Sequence, residues 1–321
     1  MLKHSTIEGH RSMKLKKIII TSLAICMLPL GAYAKDLKIG VSMAYFDDNF
    51  LTILRQAMQN KMKEEGNVSG QFEDAKGDIA QQIQQVENFV SQGVDAIILN
   101  PVDTQGVKPM IKLAEQAKIP LVFVNRRPEI TLPAGMAYVG SDSELAGRLQ
   151  MEELAKLMGG KGNVMILMGE LSSEATRDRT RGVEKVAAQY PDIHIIDKQT
   201  AKFFRKEAVD VTTDWILSGQ QIDAIASNND EMAIGAILAL KQAKKKGVVI
   251  GGIDGTPDAL EFIKKGDLNA SIFQDAKGQG EGAVDTAIKL ASGQKVESSV
   301  MIPYQLITKD NYQDFANKNK K

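Results

Sequence analysis

The sequence predicts an α/β protein built as two doubly wound parallel-sheet domains. Three observations carry this. Short apolar runs rich in Val and Ile alternate with longer segments of helical period, the pattern of parallel strands covered by helices. The alternation keeps its character from residue 37 to about residue 275, and no Gly-, Pro- or Ser-rich linker interrupts it. The length, 321 residues, suits two domains that each bury a core, at about 100–200 residues per domain.

In chain order, residues 37–42 read as the first strand and 49–65 as its helix. A short strand near Phe72 and a helix over 79–91 follow, with Gly93 just past the helix end, where a left-handed cap is wanted. The runs 95–99, 121–125 and 136–139 are the next strands, with a helix over 107–117 between the first two. The halves meet near residues 139–142. The second half reads as helix 144–158, strand 163–168, helix 181–189, strand 194–198 and helix 206–217, closed by Gly219. Strand 224–227, helix 231–243 before Gly247, strand 248–253, helix 257–264 and strand 269–273 complete it.

The N-terminus reads differently. Lys14-Leu15-Lys16-Lys17, an apolar run from Ile18 to Leu30 and Gly31-Ala32-Tyr33-Ala34 make a secretory signal with cleavage after Ala34. The run falls short of the roughly 20 residues that span a bilayer. A conventional signal opens at Met13, so Met1 and Met13 are alternative starts. Cys26 does not read as a lipid-attachment site, because Ile25 stands where a small residue is wanted.

The whole chain is formally neutral, with 40 basic and 40 acidic residues, which excludes a basic nucleic-acid binder. Cleavage removes five basic residues and one acid, leaving 287 residues with 35 basic and 39 acidic, a net charge of −4. The exported chain has no Cys and one His, His194, so neither a disulfide nor a His/Cys metal site can form. Carboxylate sites for hard cations stay open. There is no Gly-x-Ser-x-Gly and no P-loop. Gly278-x-Gly280-x-x-Ala283 matches a dinucleotide fingerprint only superficially, since too little chain follows to complete the unit. No enzyme chemistry and no cofactor are therefore expected.

Ligands of doubly wound sheets bind beyond the carboxyl ends of the strands. There the chain places Phe46-Asp47-Asp48-Asn49-Phe50, Asn100-Pro101-Val102-Asp103, Asn125-Arg126-Arg127-Pro128-Glu129 and Ser141-Asp142. The second half adds Arg177-Asp178-Arg179, Asn228-Asn229-Asp230, Asp254-Gly255-Thr256 and Gln274-Asp275. Carboxylates, guanidinia and side-chain amides suit a ligand dense in hydroxyls, which both donate and accept; Phe46 and Phe50 can cover the apolar face of a ring. Taken singly, Asp103, Asp142 and Asp230 are also what any strand-to-helix turn uses as an N-cap, Phe50 is also a core residue of its helix, and Arg126 and Arg127 are also surface charges. Only their convergence on one face argues for a site.

Asn100-Pro101-x-Asp103, Asn229-Asp230-Glu231-Met232-Ala233-x-Gly235-Ala236 and Gly252-x-Asp254-Gly255-Thr256-Pro257-Asp258 resemble the periplasmic sugar-binding proteins of the ribose-binding type, over residues 36–308. The resemblance implies the type I periplasmic binding protein fold, with domains joined by a multi-stranded hinge that the chain crosses three times. One lobe would be residues 35–141 plus 275–303, the other 142–274 plus the tail to 321. It implies ligand contacts at Phe50, Asn125, Arg126, Arg177, Asn229, Asp254 and Gln274, with Phe46, Asp48, Ser141, Asp142 and Phe203 as additions. Asn125 stands where the ribose binders carry Asp, and their Asn-Asn-Pro-Phe-Phe loop is replaced by residues 46–50. The latter loop, with Val124-Asn125-Arg126-Arg127-Pro128-Glu129, resembles binders of inositol and related cyclic polyols. The resemblance implies a periplasmic substrate-binding component of a carbohydrate ABC importer that closes on a monosaccharide or polyol and docks on a membrane permease. It implies a monomer without nucleic-acid partners. Presentation of the sugar to a chemoreceptor, or an exported sugar-modifying enzyme, are the alternatives. A sugar-sensing repressor would need a helix-turn-helix where the signal peptide stands.

Overall fold

The computed structural model describes residues 36–320; the expected signal and its cleavage point lie outside the described residues. The first half runs β1 (Leu37–Met43), α1 (Asn49–Glu65), β2 (Val68–Asp74), α2 (Ile79–Gln92), β3 (Ala96–Leu99), α3 (Lys108–Ala117), β4 (Leu121–Val124) and β5 (Met136–Gly140). The second runs α4 (Ser143–Leu157), β6 (Lys161–Met168), α5 (Glu174–Ala187), β7 (Asp192–Thr200), α6 (Arg205–Leu217), β8 (Ala224–Ser227), α7 (Asp230–Gln242), β9 (Val249–Asp254), α8 (Pro257–Lys265) and β10 (Ala270–Phe273). Helix α9 (Ala276–Ala291), β11 (Ser299–Met301), β12 (Gln305–Thr308) and a 3-10 turn over Tyr312–Phe315 close the chain.

The strands form two six-stranded sheets, ordered β2-β1-β3-β4-β5-β11 and β7-β6-β8-β9-β10-β12. Both have the doubly wound order that reverses between their first and third strands. Both are buried on two faces, as parallel sheets require. In the first sheet, Ile97, Leu99, Leu121 and Phe123 join one apolar cluster while Ile98, Val122 and Val124 join the opposite one, the period of two expected of strands. Clusters around Met165, Leu167 and Ile225, and around Val164, Ile166 and Ala224, do the same for the second.

Three passages link the sheets: between β5 and α4, between β10 and α9, and between β11 and β12. Helix α9 packs on α1 and on β3, β4 and β5, so it belongs with the first sheet. The Gly280 of the dinucleotide-like motif sits at that crossing, where a Cβ would lie 2.8 Å from the Leu54 carbonyl oxygen. Close helix packing accounts for the motif. Gly93 adopts φ 64° and returns its N–H to the Phe89 and Val90 carbonyls, closing α2.

Two expectations need correction. The third helix partner of the site, α5, begins at Glu174 rather than residue 181. Its opening residues, Glu-Ala-Thr-Arg-Asp-Arg-Thr-Arg, carry no apolar period, so nothing marked them as helical. The second sheet is also not wholly parallel, because β12 pairs with β10 antiparallel at its edge. That strand enters by a short crossing from β11 and needs no helix behind it.

Candidate functional site

A small cavity opens where the strand ends of the two sheets face each other. It is lined by Asp48, Phe50, Leu51, Asn125 and Arg126 from the first lobe, and by Ser173, Ala175, Arg179, Phe203, Asn229, Asp254 and Gln274 from the second.

Each wall residue is placed by an element end. Asp48 caps α1, accepting the Leu51 N–H at 2.7 Å, and burial pushes its pKa up. Asn229 caps α7 through the Met232 N–H and donates to the Phe203 carbonyl, so it fixes the loop that carries the Phe203 ring. Asn125 accepts from Asn100 and donates to Gln279, which commits both ends of its amide to the wall. Asn125, Phe203 and Asp254 adopt φ of 67°, 70° and 132°. Backbone strain of this kind gathers where side-chain direction matters more than local ease.

Arg179 organises the second lobe's wall. It is 4% exposed and donates to the Asn228 carbonyl (2.6 Å), Gln274 Oε1 (2.8 Å) and the Tyr304 hydroxyl (3.2 Å). One Asp254 oxygen lies 3.7 Å from it. The Asp254 carboxylate makes no hydrogen bond with the described residues, and burial drives its pKa well above the usual range despite Arg179. Ser173 Oγ and Arg179 Nε are buried without partners. Unpaired donors and acceptors around the cavity, with one phenyl ring from each lobe, fit a compact molecule whose hydroxyls complete those bonds and whose C–H face meets the rings.

The structure brings Asp48, Phe50, Asn125, Arg126, Phe203, Asn229, Asp254 and Gln274 around the cavity and leaves the other four expected contacts elsewhere. Arg177 is the substantive correction. It lies outside the cavity, bound to Glu129 at 2.7 Å and to the Thr104 hydroxyl and Leu171 carbonyl. Two residues make about 200° of helical rotation, so Arg177 and Arg179 leave α5 in opposite directions and only Arg179 reaches the cavity. Phe46 instead lies beneath the Arg55 guanidinium at 4.0 Å. Ser141 Oγ accepts from Gln279, and Asp142 caps α4. Ser173, Ala175, Leu51 and Arg179 were not foreseen; of these Arg179 alone had a signal, its place in Arg177-Asp178-Arg179. His194 sits exposed on the edge strand β7, far from this chemistry.

The lobes meet along a seam beside the cavity. The Tyr45 hydroxyl donates to Glu170, Asn49 to Glu231 (2.7 Å), and Thr104 Oγ1 to the Ser172 carbonyl (3.1 Å); Arg127 pairs with Asp178 at 2.9 Å.

Residues 39–295 match the family described as periplasmic binding protein domain. A Rhizobium meliloti protein provisionally named as rhizopine-binding is 47% identical over 95% of this chain and all of its own length. The ribose import binding protein of Salmonella typhimurium is 28% identical over 92% of this chain and all of its own length. An ABC transporter solute binding protein from Bacillus halodurans, solved with bound myo-inositol, superposes with a TM-score of 0.84 at 42% identity, covering 89% of this chain and 99% of that one. With two doubly wound lobes facing a cavity at their strand ends, the chain belongs to the periplasmic binding protein family.

Proposed function

We propose that this protein is the substrate-binding component of a carbohydrate ABC importer, closing by hinge motion on a cyclic polyol of the myo-inositol class and delivering it to a membrane permease. The observation that carries this reading is the cavity wall: unpaired Ser173 Oγ and Arg179 Nε, the buried Asp254 carboxylate with that of Asp48, and the rings of Phe50 and Phe203. The relatives named above are described as rhizopine-binding, ribose-binding and myo-inositol-bound solute binding proteins, which supports binding without turnover. Ribose and other monosaccharides are the next candidates. Contacts are assigned to Asp48, Phe50, Asn125, Arg126, Phe203, Asn229, Asp254 and Gln274, with Ser173 and Arg179 added and Phe46, Ser141, Asp142 and Arg177 removed. Sheet membership supports lobes of residues 35–141 plus 275–303, and 142–274 plus the tail. Family membership carries export to the periplasm with it, and cleavage after Ala34 is proposed from the sequence.

Thermal-shift screening of inositols, ribose, galactose, xylose and allose tests the ligand class. Stabilisation by an inositol above the other sugars is expected. Stabilisation by an amino acid or nucleotide, with none from any sugar, would overturn the class.

A pH dependence accompanies the closed form. Glu174, at the start of α5, is 1% exposed, accepts the Arg127 backbone N–H from the opposite lobe, and has one oxygen without a partner. Burial raises its pKa to about 7 against the pull of that N–H, Arg179 and Arg126, with Asp178 adding to the rise. A raised pKa means the closed form prefers the protonated acid. Its contribution is full below about pH 4.5 and is lost as pH rises to 7; Asp230, raised to about 6, acts in the same sense. Glu174→Gln should therefore stabilise the polyol-bound protein by about 3 kcal/mol at pH 8 and leave it unchanged at pH 4.5. Parallel unfolding profiles for the two proteins across that range would refute this.

A further inference from the structure

We propose that Glu170 is a positioning residue for the ligand site: it reaches from the second lobe to hold the Arg126 guanidinium and the Tyr45 hydroxyl of the first, so that the first lobe's half of the cavity is completed only on closure. The proposal rests on the polyol-binding reading above.

The geometry is specific. Arg126 is 5% exposed and lines the cavity. Its own lobe gives it two neutral hydrogen-bond acceptors, the Pro101 and Val102 carbonyl oxygens at 3.2 and 3.4 Å from Nη1, and the Asp48 carboxylate near enough to feel its charge. Among the described residues the one carboxylate in ion-pair contact with it is Glu170, whose Oε2 lies 3.1 Å from Nη2 without the alignment of a hydrogen bond. Glu170 itself does not line the cavity; it stands in the short connection between β6 and α5. Its second oxygen takes the Tyr45 hydroxyl, and burial together with this bond raises the Tyr45 pKa. The Tyr45 ring packs edge-on against Phe204, beside Phe203, whose ring lies 5.8 Å from the Arg126 guanidinium carbon. Two residues on, Ser172 binds the Val102 and Thr104 main chain and hydroxyl, so the whole 170–172 segment docks on the loop that holds Arg126.

A buried guanidinium without a charge partner is costly, and removing one member of such a pair shows mainly in the dissociation rate. When the lobes part, Arg126 and Glu170 each return to water. Closure brings them together, sets a carboxylate charge beside the guanidinium and ties the Tyr45 hydroxyl to the second lobe. Glu170 thus acts on the ligand through Arg126.

The test measures Kd, association and dissociation rates, and the ligand-free melting temperature for wild type, Glu170→Gln, Tyr45→Phe and the double variant. Wild-type binding across the polyol panel tests the ligand class by itself. The variant ratios are taken on the panel member that binds wild type tightest, so either idea can fail alone. Glu170→Gln should weaken binding about 10–100-fold, carried by faster dissociation, with the ligand-free melting temperature unchanged. Tyr45→Phe should lose less, and the double variant no more than Glu170→Gln. Affinity of Glu170→Gln within about twofold of wild type, a parallel fall in ligand-free melting temperature, or simple additivity of the two changes would each overturn the proposal.

Discussion

Arg179→Ala is expected to weaken polyol binding at least about a hundredfold, whereas Arg177→Ala costs less than about tenfold. The two arginines sit on one helix, and the sequence offers no composition or spacing reason to rank them. The difference is geometric. Arg179 links Asn228, Gln274, Tyr304 and Asp254 behind the cavity wall and keeps Nε unpaired. Deleting it removes charged hydrogen bonds worth about 1.5–3 kcal/mol and leaves the Asp254 carboxylate buried without its cation. Arg177 is more than a quarter exposed and pairs with Glu129, itself more than a third exposed, so its loss loosens the seam through a bond that water already screens. Titration calorimetry with the polyol panel decides the ranking, and circular dichroism of the ligand-free proteins checks the fold. An Arg177→Ala loss equal to or larger than that of Arg179→Ala would move the site.

The same pair explains how far the sequence could be read. Strand positions were legible because β3 and β4 are buried on both faces and carry unbroken Ala-Ile-Ile-Leu and Leu-Val-Phe-Val runs. Most site positions were legible for a related reason: a doubly wound sheet delivers ligands to its strand ends, so Asp48, Arg126, Asn229, Asp254 and Gln274 could be picked without knowing any distance. The bland and functional readings of some of them prove compatible. Asp48 and Asn229 are N-caps and also wall residues, because a cap places a side chain at the mouth of the strand-to-helix turn. What could not be read was rotation about a polar helix. Residues 174–181 are buried nearly all round, through Glu174, Thr176, Asp178, Arg179 and Thr180 rather than through large aliphatic residues, with only Arg177 and Arg181 reaching solvent, so no period announced which arginine points inward. Ser173 and Ala175 were missed for the same reason. β11 has only three residues and was found only through its pairing with β5.

The position of Arg179 depends in turn on a close helix crossing, and this leads to the largest expected loss of stability. Gly147→Ala should destabilise the protein by about 3 kcal/mol and weaken polyol binding as well. A Cβ at Gly147 would lie 1.9 Å from the Arg179 carbonyl oxygen; across the same crossing, one at Gly182 would lie 2.2 Å from the Glu144 carbonyl oxygen. Both obstacles are backbone, so no side chain can swing aside, and α5 must shift away from α4. That shift acts on Arg179 itself, whose carbonyl forms the contact and whose guanidinium spans the cavity wall. Gly282→Ala is the matched control. It lies in α9, where the added methyl meets only a Val139 methyl at 3.2 Å, and helix propensity favours Ala by about 1 kcal/mol. Urea unfolding should therefore show a large loss for Gly147→Ala and none for Gly282→Ala. If Gly147→Ala unfolds like wild type, or loses stability while keeping full affinity, then the α4–α5 crossing does not set the position of the binding arginine. Loss of both together would tie a glycine outside the cavity wall to the site through one helix contact.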